Sequence, residues 1–164
     1  MQRTENKDMK MSFELIRLFV FFVFSLITCF AHSAETENWT YFNVSENDVL
    51  HEGSDKQSRV EAINRYEGLT IQLTGQHLEI PGYCSAEIAR HDRTPTELWM
   101  SKKSAQLYSM IFEEENIPLE HVITEIEAVW PADECQPPFD TLFENRDFLV
   151  AVLPGGYLLF FKKN

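Results

Sequence analysis

Positive charge is scarce in this sequence. Its 164 residues contain 14 lysines and arginines against 26 aspartates and glutamates, a formal net charge of −12 at pH 7. From Glu35 onward the imbalance is stronger, with 10 basic against 23 acidic residues and a net charge of −13. Phosphate groups repel such a surface, so nucleic acid and anionic lipid are not expected partners, whereas a basic protein would be attracted.

The sequence also lacks an apolar run long enough to span a membrane. Its longest run, residues 18–30, reads LFVFFVFSLITCF and has thirteen residues, whereas a transmembrane helix needs about 20. A run of this length, with basic residues before it and small residues after it, is typical of a secretory signal peptide. We therefore predict a signal peptide over residues 1–34, cleaved after Ala31 or Ala34, and a single globular domain over residues 35–164.

Two alternatives concern the predicted signal peptide, which is called the leader below. Met9 or Met11 is a candidate translation start, because a long polar stretch is unusual before so short an apolar run. The segment 26–29 resembles a bacterial lipobox, which would attach a lipid to Cys29 and tether the domain to a membrane. Thr28 fits that motif poorly, so a periplasmic or secreted domain without an anchor is the favoured prediction.

Cysteine is rare, with three residues and no Cys-x-x-Cys pair. Removal of the leader leaves Cys84 and Cys135. In an exported protein an even number of cysteines indicates a disulfide, so we predict the pair 84–135. The alternative, a cysteine nucleophile activated by His91 or His121, requires a free thiolate and is disfavoured in an oxidising compartment.

Recognisable catalytic and metal-binding motifs are absent from the sequence. It contains no Gly-x-Ser-x-Gly elbow, and His51, His77, His91 and His121 include no pair at the i, i+4 spacing that places two ligands on one helix face. We therefore predict no catalytic residue, no metal site and no cofactor.

The hydrophobic and turn pattern of residues 35–164 predicts an α+β fold with an antiparallel sheet or a partly closed barrel. The clearest hairpin joins residues 69–74 and 77–80 through a Gly75-Gln76 turn, and the C-terminal hairpin, 147–153 and 157–161, is apolar on both faces. About seven short strands are expected, at residues 39–44, 69–74, 77–80, 83–91, 122–130, 147–153 and 157–161.

Two helices are predicted, and the longer packs on the sheet or closes one end of the barrel. It runs from Pro95 to about residue 115 and begins with a capping box between Thr94 and Glu97. A short helix is expected over residues 57–66.

Two sets of residues are candidates for function. The outer half of the long helix, together with its acidic C-terminal triplet, is a candidate partner surface, as is an acidic loop over residues 46–55. The members on and beside the helix are Trp99, Lys103, Met110, Glu113, Glu114 and Glu115. Inward aromatic residues are candidates for the lining of a ligand cavity, namely Trp130, Phe148, Tyr157 and Phe161.

The first hypothesis is therefore an exported, non-enzymatic acidic binding protein, such as an inhibitor or immunity-type factor directed at a basic enzyme that acts on the cell envelope. The second is a lipocalin-like carrier that holds a small ligand in an apolar cavity. An enzyme without a recognisable motif is the third. A carrier requires an open cavity between the aromatic residues, whereas a protein binder has them packed together.

Overall fold

The structure, a computed structural model, describes residues 35–48, 56–131 and 134–164, and the side chains of residues 56–58 are not described. In this part of the chain eight strands form a closed antiparallel barrel. Each strand pairs with its sequence neighbours, and the last strand pairs with the first. The predicted leader, with Cys29, lies outside the described residues, as does residue range 49–55 of the predicted acidic loop.

The strands are β1 (Thr36–Asp48), β2 (Thr70–Thr74), β3 (His77–Ile80), β4 (Cys84–Arg93), β5 (Ile123–Trp130), β6 (Thr141–Asn145), β7 (Phe148–Val152) and β8 (Tyr157–Lys163). The helices are α1 (Lys56–Tyr66), α2 (Pro95–Leu98) and α3 (Lys102–Glu114). Within the described residues no helix is both long enough and apolar enough to cross a bilayer.

The predicted barrel is confirmed, but its predicted strand count is wrong. The strand that the sequence pattern missed is β6, which has five residues and follows Pro137 and Pro138 closely. It pairs with β5 on one side and β7 on the other. Without β6 the barrel would have an open gap between β5 and β7, so this short strand is what closes it.

The single long helix predicted over residues 95–115 is also wrong, because the chain forms α2 and α3 with a break between them. The capping box at the start of α2 is present: the Glu97 amide donates to Thr94 Oγ1 (3.4 Å) and the Thr94 amide donates to Glu97 Oε2 (2.8 Å). A second N-cap follows at Ser101, whose Oγ accepts from the Ser104 amide. Between the two helices Met100 has φ 55°, a left-handed conformation that ends α2.

The C-terminal hairpin is buried on both faces, as its sequence predicts. Its inner face belongs to the core inside the barrel, which includes Leu149 and Phe161. Its outer face lies under α3, where Phe112 contacts the ring of Phe160 edge-on at 5.4 Å. A strand pair between two apolar layers reads as a continuous hydrophobic run because neither face meets water.

Helix α1 closes one end of the barrel. Its Ala62 and Tyr66 belong to the same buried cluster as the inward-facing residues of the strands, and a helix reaches that cluster only at an end of the barrel. The predicted disulfide between Cys84 and Cys135 is confirmed, and it lies at this end because Cys84 begins β4. The opposite end, where β4 and β8 finish, is called the mouth below.

Ser45 forms hydrogen bonds at an irregularity in the pairing of β8 with β1. The register between these strands shifts between Val44 and Asp48. Ser45 is fully buried there, and its Oγ accepts a hydrogen bond from the Leu158 amide (2.9 Å) and donates one to the Asn47 carbonyl (2.7 Å). The side chain therefore takes the place of a backbone acceptor that the shifted register does not supply.

Candidate functional site

A β-bulge in β5 decides where Trp130 points. In the β4–β5 ladder Ile88 is the Cα partner of Ala128, but Glu87 is the partner of Trp130, so Val129 is an extra residue. Strand side chains alternate between faces, so without this insertion Trp130 would share the inward direction of Ile126. The extra residue reverses the direction, and the Trp130 side chain is 68% exposed on the outside of the barrel.

Acidic side chains surround Trp130 on this outer face. Glu87 lies directly opposite Trp130, and His77 on β3 lies opposite Glu87. Glu79 is two residues from His77 on the same outward side of β3, and Glu127 pairs with Ala89 next to the bulge. We call this surface the acidic tryptophan face, and it comprises His77, Glu79, Glu87, Glu127, Val129 and Trp130. All six side chains are exposed.

Strands β4 and β5 place one lysine or arginine on the outer side of the barrel. The nearest cation on the outer side of β4 and β5 is Arg93, whose Nε is 3.0 Å from Glu125 Oε2 and is already paired. His77 Nε2 lies 3.0 Å from Ser85 Oγ, which fixes the imidazole at the edge of the face. The face therefore presents an exposed indole among three carboxylates, a chemistry that suits a partner with both apolar and basic groups.

The predicted partner surface on the long helix is divided by the helix break. Trp99 lies in the break and is half-buried: its ring stacks on Tyr108 with centroids 4.2 Å apart and meets Phe143 edge-on. Lys103 and Met110 are exposed on α3 with Leu107 between them along one stripe of the helix. The helix thus retains an exposed stripe, but its aromatic member is packed inward.

The acidic triplet at the end of α3 mainly forms hydrogen bonds with β1. Glu115 accepts hydrogen bonds from the Asn43 amide group (2.8 Å) and from the Glu46 backbone N–H (2.7 Å). Glu114 accepts one from the side chain of Asn47 (2.7 Å). Glu113 is exposed. Two of the three carboxylates predicted to contact a partner are therefore engaged within the chain.

The four aromatic residues predicted to line a cavity lie in different places. Phe161 and Tyr157 belong to the core inside the barrel. Phe148 is half-buried on the outside of the barrel, edge-on to Phe42 (5.4 Å) and to Phe160 (6.4 Å). Trp130 is exposed. Away from the mouth, the inward-facing positions of the barrel hold buried side chains in mutual contact, many of them large, as expected for eight strands.

A second constellation, which sequence reasoning missed, lies at the mouth of the barrel. Glu37, Arg90, Glu144 and Lys163, called the mouth cluster below, point inward because their Cα partners Leu73, Ile126, Leu149 and Trp39 are core residues. Glu37 Oε1 is 2.6 Å from Lys163 Nζ and its Oε2 is 3.1 Å from Arg90 Nη2, while Glu144 Oε2 is 3.4 Å from Arg90 Nη1. Four strands distant in sequence supply these groups, so no local motif marks them.

The two carboxylates of the mouth cluster differ in pKa. Burial raises the pKa of Glu37, but hydrogen bonds from Lys163 and Arg90 outweigh that effect, and the net pKa is lowered from 4.5. Burial and the nearby charge of Glu37 raise the pKa of Glu144. Lys163 lies over the buried ring of Trp39 at 5.1 Å, and the Trp39 Nε1 donor has no hydrogen-bond partner within the described residues.

The three histidines that the structure describes are spread over the surface. His77 lies on the acidic tryptophan face, and His91 and His121 are exposed elsewhere, while His51 lies outside the described residues. Among the residues that the structure describes, no group of three or more histidine, cysteine or acidic side chains is arranged to hold a metal ion.

Comparison with known proteins found no matching family model, no matching curated protein and no matching solved structure.

Proposed function

We propose that this protein is an exported, non-catalytic binding protein that recognises a basic protein partner through the acidic tryptophan face. The observation that carries the proposal is the exposure of Trp130, 68%, in the midst of Glu79, Glu87 and Glu127. A tryptophan exposes apolar surface to water at a cost, and tryptophan is among the residues that contribute most to binding at protein interfaces.

Charge complementarity supports a basic partner. The chain carries a net charge of −12, and three of its carboxylates surround the indole. Such a surface attracts a basic protein over distances of about one Debye length and repels acidic ones. The partner in this proposal is a basic enzyme that acts on the cell envelope. The present protein would bind that enzyme and act as its inhibitor or immunity factor.

Two further observations support parts of this proposal. The packed barrel interior favours a protein binder over a carrier with its ligand inside the barrel. The Cys84–Cys135 disulfide is of the kind that persists in oxidising compartments, which supports export.

The test is a binding experiment with the protein purified in its oxidised form from the cells that produce it. We expect an extract of the same cells to yield a basic protein that binds in about 50 mM salt and is released at about 500 mM, because screening shortens the Debye length. The affinity is then measured for Trp130→Ala and for Met110→Ala, a matched truncation of an exposed apolar side chain on α3.

Trp130→Ala should weaken binding by at least about 30-fold, the effect of losing an interface hot spot, while Met110→Ala should leave binding within about twofold. A loss with Met110→Ala alone would assign the contact to α3 instead and contradict the proposed face. A partner that is acidic, or whose binding is insensitive to salt, would contradict the electrostatic part of the proposal.

A further inference from the structure

Two clefts lie at the end of the barrel that α1 closes, and Arg65 and Tyr66 line both of them. The smaller, about 160 Å³, lies between α1 and the turn that joins β7 to β8. The larger, about 210 Å³, lies between the end of α1 and the segment around Pro138. The described lining of neither cleft includes a residue of the acidic tryptophan face, so a ligand in either cleft would contact other residues than the proposed partner does.

Arg65 differs from the other arginines of the described chain. Arg59, Arg90, Arg93 and Arg146 each form an ion pair with a glutamate, whereas Arg65 forms none within the described residues. Its guanidinium lies over the Tyr66 ring, 5.4 Å from the centroid, and the Tyr83 hydroxyl donates a hydrogen bond to its backbone carbonyl (3.1 Å). The side chain is thus positioned by a ring while its N–H donors remain available for an anion.

Three aromatic rings form the apolar part of the larger cleft. Tyr66, Tyr83 and Phe139 contact one another, with ring centroids 5.4 to 6.2 Å apart. Tyr66 and Phe139 are buried, whereas Tyr83 is 41% exposed and leaves part of its ring for another group. The Cys84–Cys135 disulfide joins the two segments that carry Tyr83 and Phe139, which holds this aromatic wall together.

Among the described residues that line the same cleft, one is a cation and one is an anion. These are Arg65 and Glu134, and both are exposed. A carboxylate ligand alone would be attracted by the first and repelled by the second, and an amine alone would experience the reverse. A molecule that carries both charges satisfies both side chains, and an aromatic ring on that molecule fits beside Tyr83 and Phe139.

We propose that the larger cleft binds a free aromatic α-amino acid in its zwitterionic form. Arg65 pairs with the carboxylate, Glu134 with the ammonium group, and the ring packs against Tyr83 and Phe139. The volume of the larger cleft, about 210 Å³, is consistent with a ligand that carries one aromatic ring. A cavity of about 150 Å³ accommodates one benzene molecule.

The test is a calorimetric or NMR titration of the full oxidised protein with L-phenylalanine and three analogues that each lack one feature. Phenethylamine lacks the carboxylate, 3-phenylpropionate lacks the ammonium group, and glycine lacks the ring. We expect phenylalanine to bind at least about tenfold more tightly than each analogue, since each loses one of three contacts.

Variants identify the cleft as the site. Arg65→Gln and Glu134→Gln should each weaken phenylalanine binding by at least about tenfold, whereas Arg146→Gln, a change at an exposed arginine outside both clefts, should not. Trp130→Ala should also leave this binding unchanged, which separates it from partner recognition. An unchanged thermal midpoint in each variant shows that the fold is intact.

Three results would overturn the proposal. The first is the absence of phenylalanine binding to the natural protein up to about 10 mM, weaker than the millimolar affinity expected of so small a ligand. The second is equal binding of phenylalanine and either singly charged analogue. The third is phenylalanine binding that persists in both cleft variants.

Discussion

Glu87 and Trp130 are opposite one another across β4 and β5, and this pairing places the indole on the outside of the barrel. Their register is the product of the bulge at Val129, because the neighbouring pair is Ile88 with Ala128. The bulge converts an aromatic residue that strand alternation assigns to the core into the centre of an acidic surface.

The exposure of Trp130 predicts the fluorescence of the protein. Of its three tryptophans, Trp39 is fully buried, Trp99 is half-buried and Trp130 is 68% exposed. Trp130→Phe should remove most of the acrylamide-quenchable emission, whereas Trp99→Phe should remove little of it. Because Trp130 is largely exposed, the variant should keep its free energy of unfolding within about 0.5 kcal/mol. Unchanged quenching in Trp130→Phe would show that the ring is inside the barrel.

The mouth cluster predicts a dependence of stability on pH. The pKa of Glu37 is lowered in the folded state, so its proton is held more tightly by the unfolded chain. The stability that Glu37 contributes is therefore present above its ordinary pKa of 4.5 and is lost as the pH falls through the lower folded-state pKa. Glu37→Gln should reduce the free energy of unfolding at pH 7 by ~1–2 kcal/mol, a modest amount because Lys163 is partly exposed to solvent.

For Glu144 we predict the opposite dependence of stability on pH. Burial and the charge of Glu37 raise its pKa in the folded state, so its ionised form costs stability at neutral pH, and this cost disappears as the pH falls through the raised pKa toward 4.5. Glu144→Gln should therefore increase the free energy of unfolding at pH 7 by up to about 1 kcal/mol. Urea denaturation between about pH 3 and pH 8 covers the pH windows of both variants. A destabilised Glu144→Gln at pH 7 would mean that the contact of Glu144 with Arg90 dominates.

Met100 offers a test of the helix break. It has φ 55° and its side chain is 93% exposed, so it bears a conformational cost without compensating burial. Met100→Gly should raise the free energy of unfolding by ~0.5–1 kcal/mol, because glycine adopts this conformation without a steric penalty. Met100→Val should lower it, since a β-branched residue fits the left-handed region poorly. If Met100→Gly were instead destabilising by the usual cost of glycine within a helix, the helix would be continuous through residue 100.

The disulfide predicts a large effect of reduction. Cys84 and Cys135 are 51 residues apart, and closing a loop of this length stabilises a fold by about 4 kcal/mol in the chain-entropy treatment. Replacement of both cysteines by alanine should lower the urea midpoint accordingly, and dithiothreitol should lower it for the natural protein but not for the double variant. A natural protein whose midpoint is unaffected by dithiothreitol would contradict this account.

Much of the fold follows from local sequence patterns. The hairpin of β2 and β3 follows from strict alternation around Gly75-Gln76, and the capping box at Thr94 from two side chains three residues apart. These features depend on neighbouring residues, so periodicity and turn chemistry are enough to predict them. The helix break is predictable in the same way, because Ser101 is itself a good N-cap residue.

The possible functional sites are much less predictable. Alternation along β5 places Trp130 inside the barrel, since it gives no indication of a bulge whose position depends on pairing with β4. The mouth cluster and the larger cleft combine residues from distant segments, such as Glu37 with Arg90 and Arg65 with Phe139. Nothing in the sequence near any one of these residues indicates its eventual neighbours.

The sequence by itself determined the acidic charge, the disulfide between the two cysteines that follow the predicted leader, and the apolar hairpin of β7 and β8, since each depends on composition or on short-range pattern. Tertiary structure alone decided that β6 completes the barrel, that Trp130 faces solvent, and that Arg65 lines a cleft without a carboxylate partner among the described residues. The physical reason is that register and closure are properties of paired strands, and a side chain acquires its surroundings only when the barrel closes.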